Sequence, residues 1–321
     1  MEEAHSPKAL EVIHPGALTT VQDLGRYGYQ KYGVPISGAV DKYSLRVANL
    51  LVGNREGEAA LEITVLGPKL KALRPLMVAL AGGDLSPRID GQPCLMWRSH
   101  LVKEGEIISF GAVRSGCRAY LGVSGGISVP SVLGSSSTHV QLGLGGFGRA
   151  LKQGDIIRIG GGKKGQEEVP REVPGKHIPL YTGEWLIRVI PGPQLEYFTP
   201  RGLKTLMEGE YGVTPESDRM ASRLKGHRIE HRGGADVITD ATPPGSIQVP
   251  GDGMPIIFLA DGQATGGYAK IAVAITPDQD KLGQAKPGDR IRFQKVDLEK
   301  AHLLRAEMQE RIRAIKSSFD L

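Results

Sequence analysis

"YGVPISGAVDKYSLRVANLLVGN", residues 32–54, has a partial echo in "YGVTPESDRMASRLKGHR", residues 211–228, and that repetition decides the fold. Each stretch opens on Tyr-Gly-Val, sets an acidic residue (Asp41 or Asp218) ahead of an apolar run, and then reaches a glycine (Gly53 or Gly226). In the first, Gly33, Pro35 and Gly38 signal tight turns, and the run from Asp41 to Val52 predicts an amphipathic helix. An acid at a helix N-terminus is favoured by the dipole, and a glycine supplies the left-handed C-terminal cap. The second stretch predicts the same corner, with a helix starting at Asp218 and ending at Gly226.

Three further pairs keep the same order. "VIHPG" (12–16) matches "VIPGP" (189–193), "RPLMVALAGGDLS" (74–86) matches "MPIIFLADGQAT" (254–265), and "KEGEIISFGAV" (103–113) matches "KPGDRIRFQKV" (286–296). Ordered echoes at a nearly constant offset point to an internal duplication. Short apolar runs closed by glycine read as buried strands, and "EGEIISF", "GDIIRIG" and "GDRIRF" read as hairpins entering half-buried strands. The expectation is a mainly β chain with few helices, built as two related β-barrel or sandwich lobes at 1–165 and 180–321. The glycine-, charge- and proline-rich stretch between them supplies a linker over 166–179. From Asp297, Leu298, Ala301, Leu304, Met308, Ile312 and Ile315 fall at helical spacing, predicting a packed C-terminal helix that lids its own lobe.

Composition narrows the function classes. With 44 glycines, 21 prolines and 5% aromatic residues among 321, the chain suits short strands and turns rather than a helical bundle. The net charge of +5 and the pI near 9.1 come without any basic cluster or aromatic-rich motif, which argues against nucleic acid. Cys94 and Cys117 are the only cysteines, too few for a disulfide framework. The N-terminus opens acidic without an apolar signal region, and no long apolar run follows, so a soluble cytoplasmic protein without membrane contact is expected.

Several motif matches fail on context. "GLGGFG" (143–148) follows no clear strand and opens no helix, so it is not read as a dinucleotide site. "GVSGG" (122–126) lacks the helix that a nucleophile elbow needs after Ser124, because Pro130 follows, and is read as a turn. "HRIEH" (227–231) matches a zinc pattern, but read as a strand it separates His227 and His231 by ~13 Å, so no metal is expected. There is no phosphate-binding P-loop and no biotin-carrier lysine.

Three polar, glycine-dense clusters remain. The first offers Gln22, Asp23 and Arg26, with Ser37 beyond them; the second, Ser217, Asp218 and Arg219. The third, "SIQVPGDGMPIIFLADGQATGGYAK", contains Gln248, Asp261, Gln263, Thr265 and Tyr268 around Gly266 and Gly267. Consecutive glycines either aim backbone N–H groups at developing negative charge or merely permit positive φ in a hairpin, and both readings stand. Asp218 and Arg219 are read either as catalytic groups or as an N-cap and a structural salt bridge.

"TTVQDLGRYGYQKYGVPISGAVDKYSLRVANLLVGN", "ALEITVLGP", "VPSVLGSSST", "GRALKQGD", "PGPQ", "SDRMASRL", "GSIQVPGDGMPI" and "DGQATGGYAKIA" together resemble the biotin-dependent carboxyltransferase, or allophanate hydrolase subunit 2, family. That family includes KipA-type proteins described as the C-type subunit of an ATP-dependent 5-oxoprolinase. The resemblance implies cyclophilin-like β-barrel lobes, a KipI-type partner of the allophanate hydrolase subunit 1 family, and assembly with a LamB/YcsF-type partner. It implies ATP-driven hydrolysis of 5-oxo-L-proline to L-glutamate by the complex, with the ATP-binding chain left open. The alternatives are carboxyl transfer to a urea-like substrate, with biotin supplied in trans, or antagonism of the KipI-type kinase inhibitor by binding it.

The sequence departs from the family pattern where Ser136 replaces an arginine, His139 a tyrosine, and Ala264 and Ala269 a threonine and a proline. The candidate catalytic residues are Asp261, Gln263, Tyr268, Asp218 and Arg219. Candidate substrate-binding residues are Gln22, Asp23, Arg26, Ser37, Gln248, Thr265, Gly266 and Gly267, with the "ATGGY" segment expected to form an oxyanion-holding loop.

Overall fold

The alternation of apolar residues that predicts strands is realised throughout, and a computed structural model describes residues 6–161 and 169–319. Residues 166–168 of the expected linker lie outside the described residues. The chain divides into two units that are not consecutive in sequence. The first comprises Met1–Arg26, Ser37–Leu180 and Glu310–Leu321, and the second Tyr27–Ile36 and Tyr181–Gln309.

In the first unit, β1 (Lys8–His14), β2 (Leu18–Gln22), α1 (Lys42–Leu51), β3 (Ala60–Thr64), β4 (Lys69–Ala72) and β5 (Leu76–Asp84) come first. They are followed by β6 (Arg88–Ile89), β7 (Gln92–Pro93), β8 (Arg98–Val102), β9 (Ile107–Ser109), β10 (Ser115–Val123) and β11 (Ile156–Arg158). They form a six-stranded sheet, β11-β1-β4-β9-β6-β7, and a five-stranded sheet, β2-β3-β10-β5-β8. Alternate residues of both sheets, including Leu10, Leu70 and Ile157 from one and Ile63, Leu80 and Leu121 from the other, share one apolar core. Such a layer is a sandwich, one of the two arrangements the strand pattern predicts for this lobe. β5 is buried on both faces because its remaining residues meet α1, which explains its unbroken apolar run.

The corner at 33–41 is held from beneath. Asp41 caps α1 by accepting from the Ser44 amide at 2.9 Å and the Ser44 hydroxyl at 2.6 Å. The Asp41 amide donates to the Tyr120 hydroxyl at 2.8 Å, which in turn donates to Glu62 at 2.7 Å. Burial, followed by the Glu62 and Asp41 charges, holds the Tyr120 phenol well above its ordinary range. Gly38, at φ +85°, is required because a Cβ there would lie 2.7 Å from the Gly25 amide nitrogen. Gly53 takes the expected left-handed cap at φ 74°.

In the second unit, β12 (Glu184–Pro191), α2 (Pro200–Glu208), β13 (Glu210–Val213), β14 (Ala221–Lys225), β15 (Asp236–Ala241) and β16 (Ser246–Gln248) come first. Next come β17 (Ile256–Phe258), β18 (Thr265–Tyr268), β19 (Lys270–Ala274), α3 (Thr276–Leu282), β20 (Arg290–Lys295) and α4 (Leu298–Ser317). Seven strands close a barrel in the order β12-β19-β16-β17-β14-β13-β20, with β20 returning parallel to β12. Its interior is filled from alternating positions such as Ile187, Val189, Tyr211, Leu224, Ile257, Ile291 and Phe293. Outside it, β15 and β18 form a separate two-stranded ribbon.

Three local expectations are corrected here. Residues 217–225 form a turn and β14, not a helix: Val213 pairs with Leu224 across the hairpin, so Gly226 follows a strand. "HRIEH" is irregular, with an isolated bridge from His231 to Phe198, rather than a strand. The C-terminal helix buries Ile312 and Ile315 but leaves Leu298 61% exposed, and its last residues, from Glu310, belong to the first unit rather than to its own lobe.

Candidate active site

Antiparallel pairing brings the third sequence cluster together on the second unit. Directly opposed residues share a sheet face, and the registers Ala221↔Phe258, Arg223↔Ile256 and Gln248↔Ile256 place these side chains on one wall of the barrel. That wall and the ribbon bound a cleft of about 470 Å³, lined among others by Asp218, Arg223, Gln248, Gln263, Gly267 and Tyr268, with Ile256 and Phe258 as its apolar floor. The Gln248 amide donates to the Tyr268 carbonyl at 2.9 Å, tying barrel to ribbon. A Cβ on Gly266 would lie 2.7 Å from the Gln248 amide nitrogen and 3.1 Å from Thr242 Cγ2. This glycine therefore serves close approach. Neither Gly266 nor Gly267 takes a left-handed φ, and both lie in β18 rather than in an oxyanion loop. Thr265, at the head of β18, is exposed and pairs with Ala241.

Arg219 and Asp261 form a buried bidentate pair, with Nε to Oδ2 at 2.8 Å and Nη2 to Oδ1 at 3.0 Å, each side chain about 5–6% exposed. The Asp261 amide also donates to the Arg219 carbonyl at 3.0 Å. A buried bidentate ion pair of this kind favours a scaffold role for these two residues over acid or base work. Asp218 turns the chain, Oδ1 accepting from the Met220 and Ala221 amides at 2.7 and 3.0 Å. Tyr268, 40% exposed, and the exposed Gln263 remain as donors facing the cleft.

Sequence reasoning missed a polar group beside these residues. Lys270, almost fully buried and opposite Gln248 in register, places Nζ 2.6 Å from Asp240 Oδ2. Gln194 donates to the same oxygen at 3.0 Å, and its own carbonyl accepts the Lys270 amide at 3.1 Å. The Lys270 ammonium, then the Ala241 amide and Gln194, hold the Asp240 carboxyl below its ordinary range. The signal available was a lysine ahead of the apolar "IAVA" run in "GGYAKIA" and a glutamine closing "PGPQ". Asp240 has no comparable mark.

The first cluster holds a loop in the first unit and does not line the cleft. Gln22 donates to Thr20 Oγ1 and the Thr138 carbonyl, each at 3.0 Å. Asp23 accepts from the Ser135 hydroxyl at 2.7 Å, the Ser136 amide at 2.6 Å and the Ser137 hydroxyl. Arg26 donates to the Ser137 carbonyl, and Ser37 is fully buried at φ 55°. Burial pushes the Cys94 thiol up to about 11, so it is not an activated nucleophile. His227 and His231 line a separate, more open cleft of about 920 Å³ in the second unit. Among the described residues no cluster of three or more His, Cys, Asp or Glu is placed to hold a metal ion, and no helix is long and apolar enough to cross a membrane.

Chemically, the cleft presents hydrogen-bond donors, one cation and two carboxylates around an apolar floor. A carboxyltransferase domain is the class this architecture defines: the family model for carboxyltransferase domain, subdomain A and B, matches residues 32–295, and the chain belongs to that family. It is 36% identical to the C-type subunit of the Escherichia coli 5-oxoprolinase, over 94% of this chain and 95% of that one. It is 35% identical to the urea amidolyase of Saccharomyces cerevisiae, over 97% of this chain but only 18% of that protein. The crystal structure of Kluyveromyces lactis urea carboxylase superposes with a TM-score of 0.91 at 34% identity, covering 97% of this chain and 29% of that one.

Proposed function

We propose that this chain is the C-type subunit of a cytoplasmic, ATP-dependent 5-oxoprolinase that acts with a KipI-type and a LamB/YcsF-type subunit. The observation that carries the reading is the similarity along nearly the whole length of C-type 5-oxoprolinase subunits, against about a fifth of the urea amidolyases. The cleft suits such a role. A lactam is a resonance-stabilised amide, so opening it requires activation of the carbonyl and stabilisation of charge on its oxygen. In the proposed reaction the ATP γ-phosphoryl group is transferred to the lactam oxygen, water adds to the ring carbon, and the C–N bond breaks to leave an acyl phosphate. A second water hydrolyses that acyl phosphate to release phosphate. The products are glutamate, ADP and phosphate. The tasks assigned to this chain are to seat the flat ring on Ile256 and Phe258 and to orient its amide with Gln248, Gln263 and Tyr268. ATP is assigned to another chain of the complex, because the cleft carries one cation and two carboxylates and does not suit a triphosphate.

Carboxyl transfer to a urea-like substrate is the second reading, favoured by the TM-score of 0.91 to urea carboxylase; it requires biotin delivered on another chain. The test is co-purification with KipI-type and LamB/YcsF-type partners, followed by assay for glutamate released from 5-oxoproline. Release that needs ATP and all three chains supports the proposal. Absence of release, with carboxylation of urea by a biotin-carrying partner instead, replaces it.

A further inference from the structure

Among the described residues, Arg223 is the only Lys, Arg or His side chain lining the Gln248–Tyr268 cleft, and no task in the proposed reaction falls to it. It stands on β14 in direct register with Ile256, on the same wall as Gln248. Its backbone is fixed at both ends: the amide donates to Ser217 Oγ at 2.9 Å, and the carbonyl accepts from the Thr214 amide at 2.9 Å. Its guanidinium, by contrast, makes no ion pair or hydrogen bond among the described residues. The carboxylates that share the cleft are otherwise engaged: Oδ1 of Asp218 accepts two backbone amides, and Oδ1 of Asp252 accepts the Met254 amide at 2.9 Å. Glu216, whose charge Arg223 feels, lies on the exposed turn outside the lining.

We infer that Arg223 is the specificity-determining residue of the cleft, receiving the carboxylate of the substrate and so selecting a ring amide that bears an acid over a neutral urea-like one. This rests on the 5-oxoprolinase reading. A guanidinium fork matches a carboxylate with two parallel hydrogen bonds. Arg223 and Gln248 flank Ile256 from opposite sides across β14, β17 and β16, so a small ring held by its carboxylate at Arg223 presents its amide toward the donors of Gln248 and Tyr268. Without Arg223 the charged lining is two carboxylates, which repel an anion and tolerate a neutral ligand. Selection of the acid therefore rests on attraction by Arg223 that outweighs repulsion from Asp218 and Asp252.

The experiment compares Arg223→Gln and Arg223→Lys with wild type in the reconstituted full-length complex. It measures kcat, KM for 5-oxoproline, KM for ATP, and competitive inhibition by 2-pyrrolidinone, the same ring without the acid. Arg223→Gln is expected to raise KM for 5-oxoproline about ten- to a hundredfold, the range for a lost hydrogen bond to a charged group. KM for ATP and inhibition by 2-pyrrolidinone stay at wild-type values, and Arg223→Lys, which keeps the charge but loses the fork, falls between. An unchanged KM for 5-oxoproline in Arg223→Gln overturns the inference, as does a rise confined to ATP, which would make the bound anion a phosphate. A wild-type complex without turnover overturns the 5-oxoprolinase reading itself, and the inference with it.

Discussion

Asp261 separates a scaffold from a catalytic reading most sharply. Its carboxylate and the Arg219 guanidinium meet through two hydrogen bonds of 2.8 and 3.0 Å, with each side chain only about 5–6% exposed. Asp261→Ala takes a bidentate carboxylate away from a buried guanidinium, and breaking such a pair from one side costs about 3–5 kcal/mol. That is about a hundred- to several-thousandfold in the unfolding equilibrium. Replacing both partners, Arg219→Met with Asp261→Leu, removes both charges and is expected to restore most of the loss. Trp97 lies in the first unit and Trp185 in the second, both nearly buried, so a Trp97→Phe background lets urea unfolding of the second unit be followed by Trp185 fluorescence alone. The midpoint should drop in Asp261→Ala and recover in the double replacement. An unchanged midpoint, with turnover of the reconstituted complex reduced tenfold or more, would refute this and return Asp261 to the chemistry.

Gly266→Ala forces the Gln248 amide away from the Tyr268 carbonyl. Stability should fall by about 1 kcal/mol and turnover of the complex about tenfold, whereas normal turnover excludes Gln248 from the site. Lys270→Met leaves Asp240 without its cation, so amide exchange over 236–241 and 265–268 should quicken about tenfold while β12 keeps its protection; equal exchange in both proteins contradicts the anchoring role. Burial pushes the Asp278 carboxyl up, yet Arg188 and Lys281 outweigh it and hold the carboxyl below its ordinary range. A depressed carboxyl lends stability that is complete above its unfolded value of about 4 and is lost as pH falls through the folded value. Asp278→Asn should therefore flatten the acid limb of the second unit's stability curve, and unchanged slopes would count against it.

What the sequence discloses depends on how many residues carry each signal. α1 is readable because ten residues repeat an apolar stripe between a capping acid and a left-handed glycine. Residues 217–225 mislead because nine residues fit either period. Their state is set instead by partners far along the chain, Val213 opposite Leu224 and Ala221 opposite Phe258. The "ATGGY" segment is legible as a site but not as a strand, since glycine declares a need for space without saying whether a turn or a neighbouring amide fills it. Gln248, Gln263, Gly267 and Tyr268 stand out because they crowd one stretch. Lys270 sits at the end of that stretch without a mark of its own, and Asp240 stays hidden, because only the register of the β15–β18 ribbon brings it to that lysine.

The central claim, that the cleft between barrel and ribbon seats a carboxylate-bearing lactam, is tested most directly by a crystal structure of the assembled complex bound to 5-oxoproline without ATP. The account predicts the ring on Ile256 and Phe258, its amide within hydrogen-bond reach of Gln248 or Tyr268, and its carboxylate on Arg223. A ligand bound instead beside Gln22, Asp23 and Arg26 in the first unit, or held entirely by another chain of the complex, would contradict it.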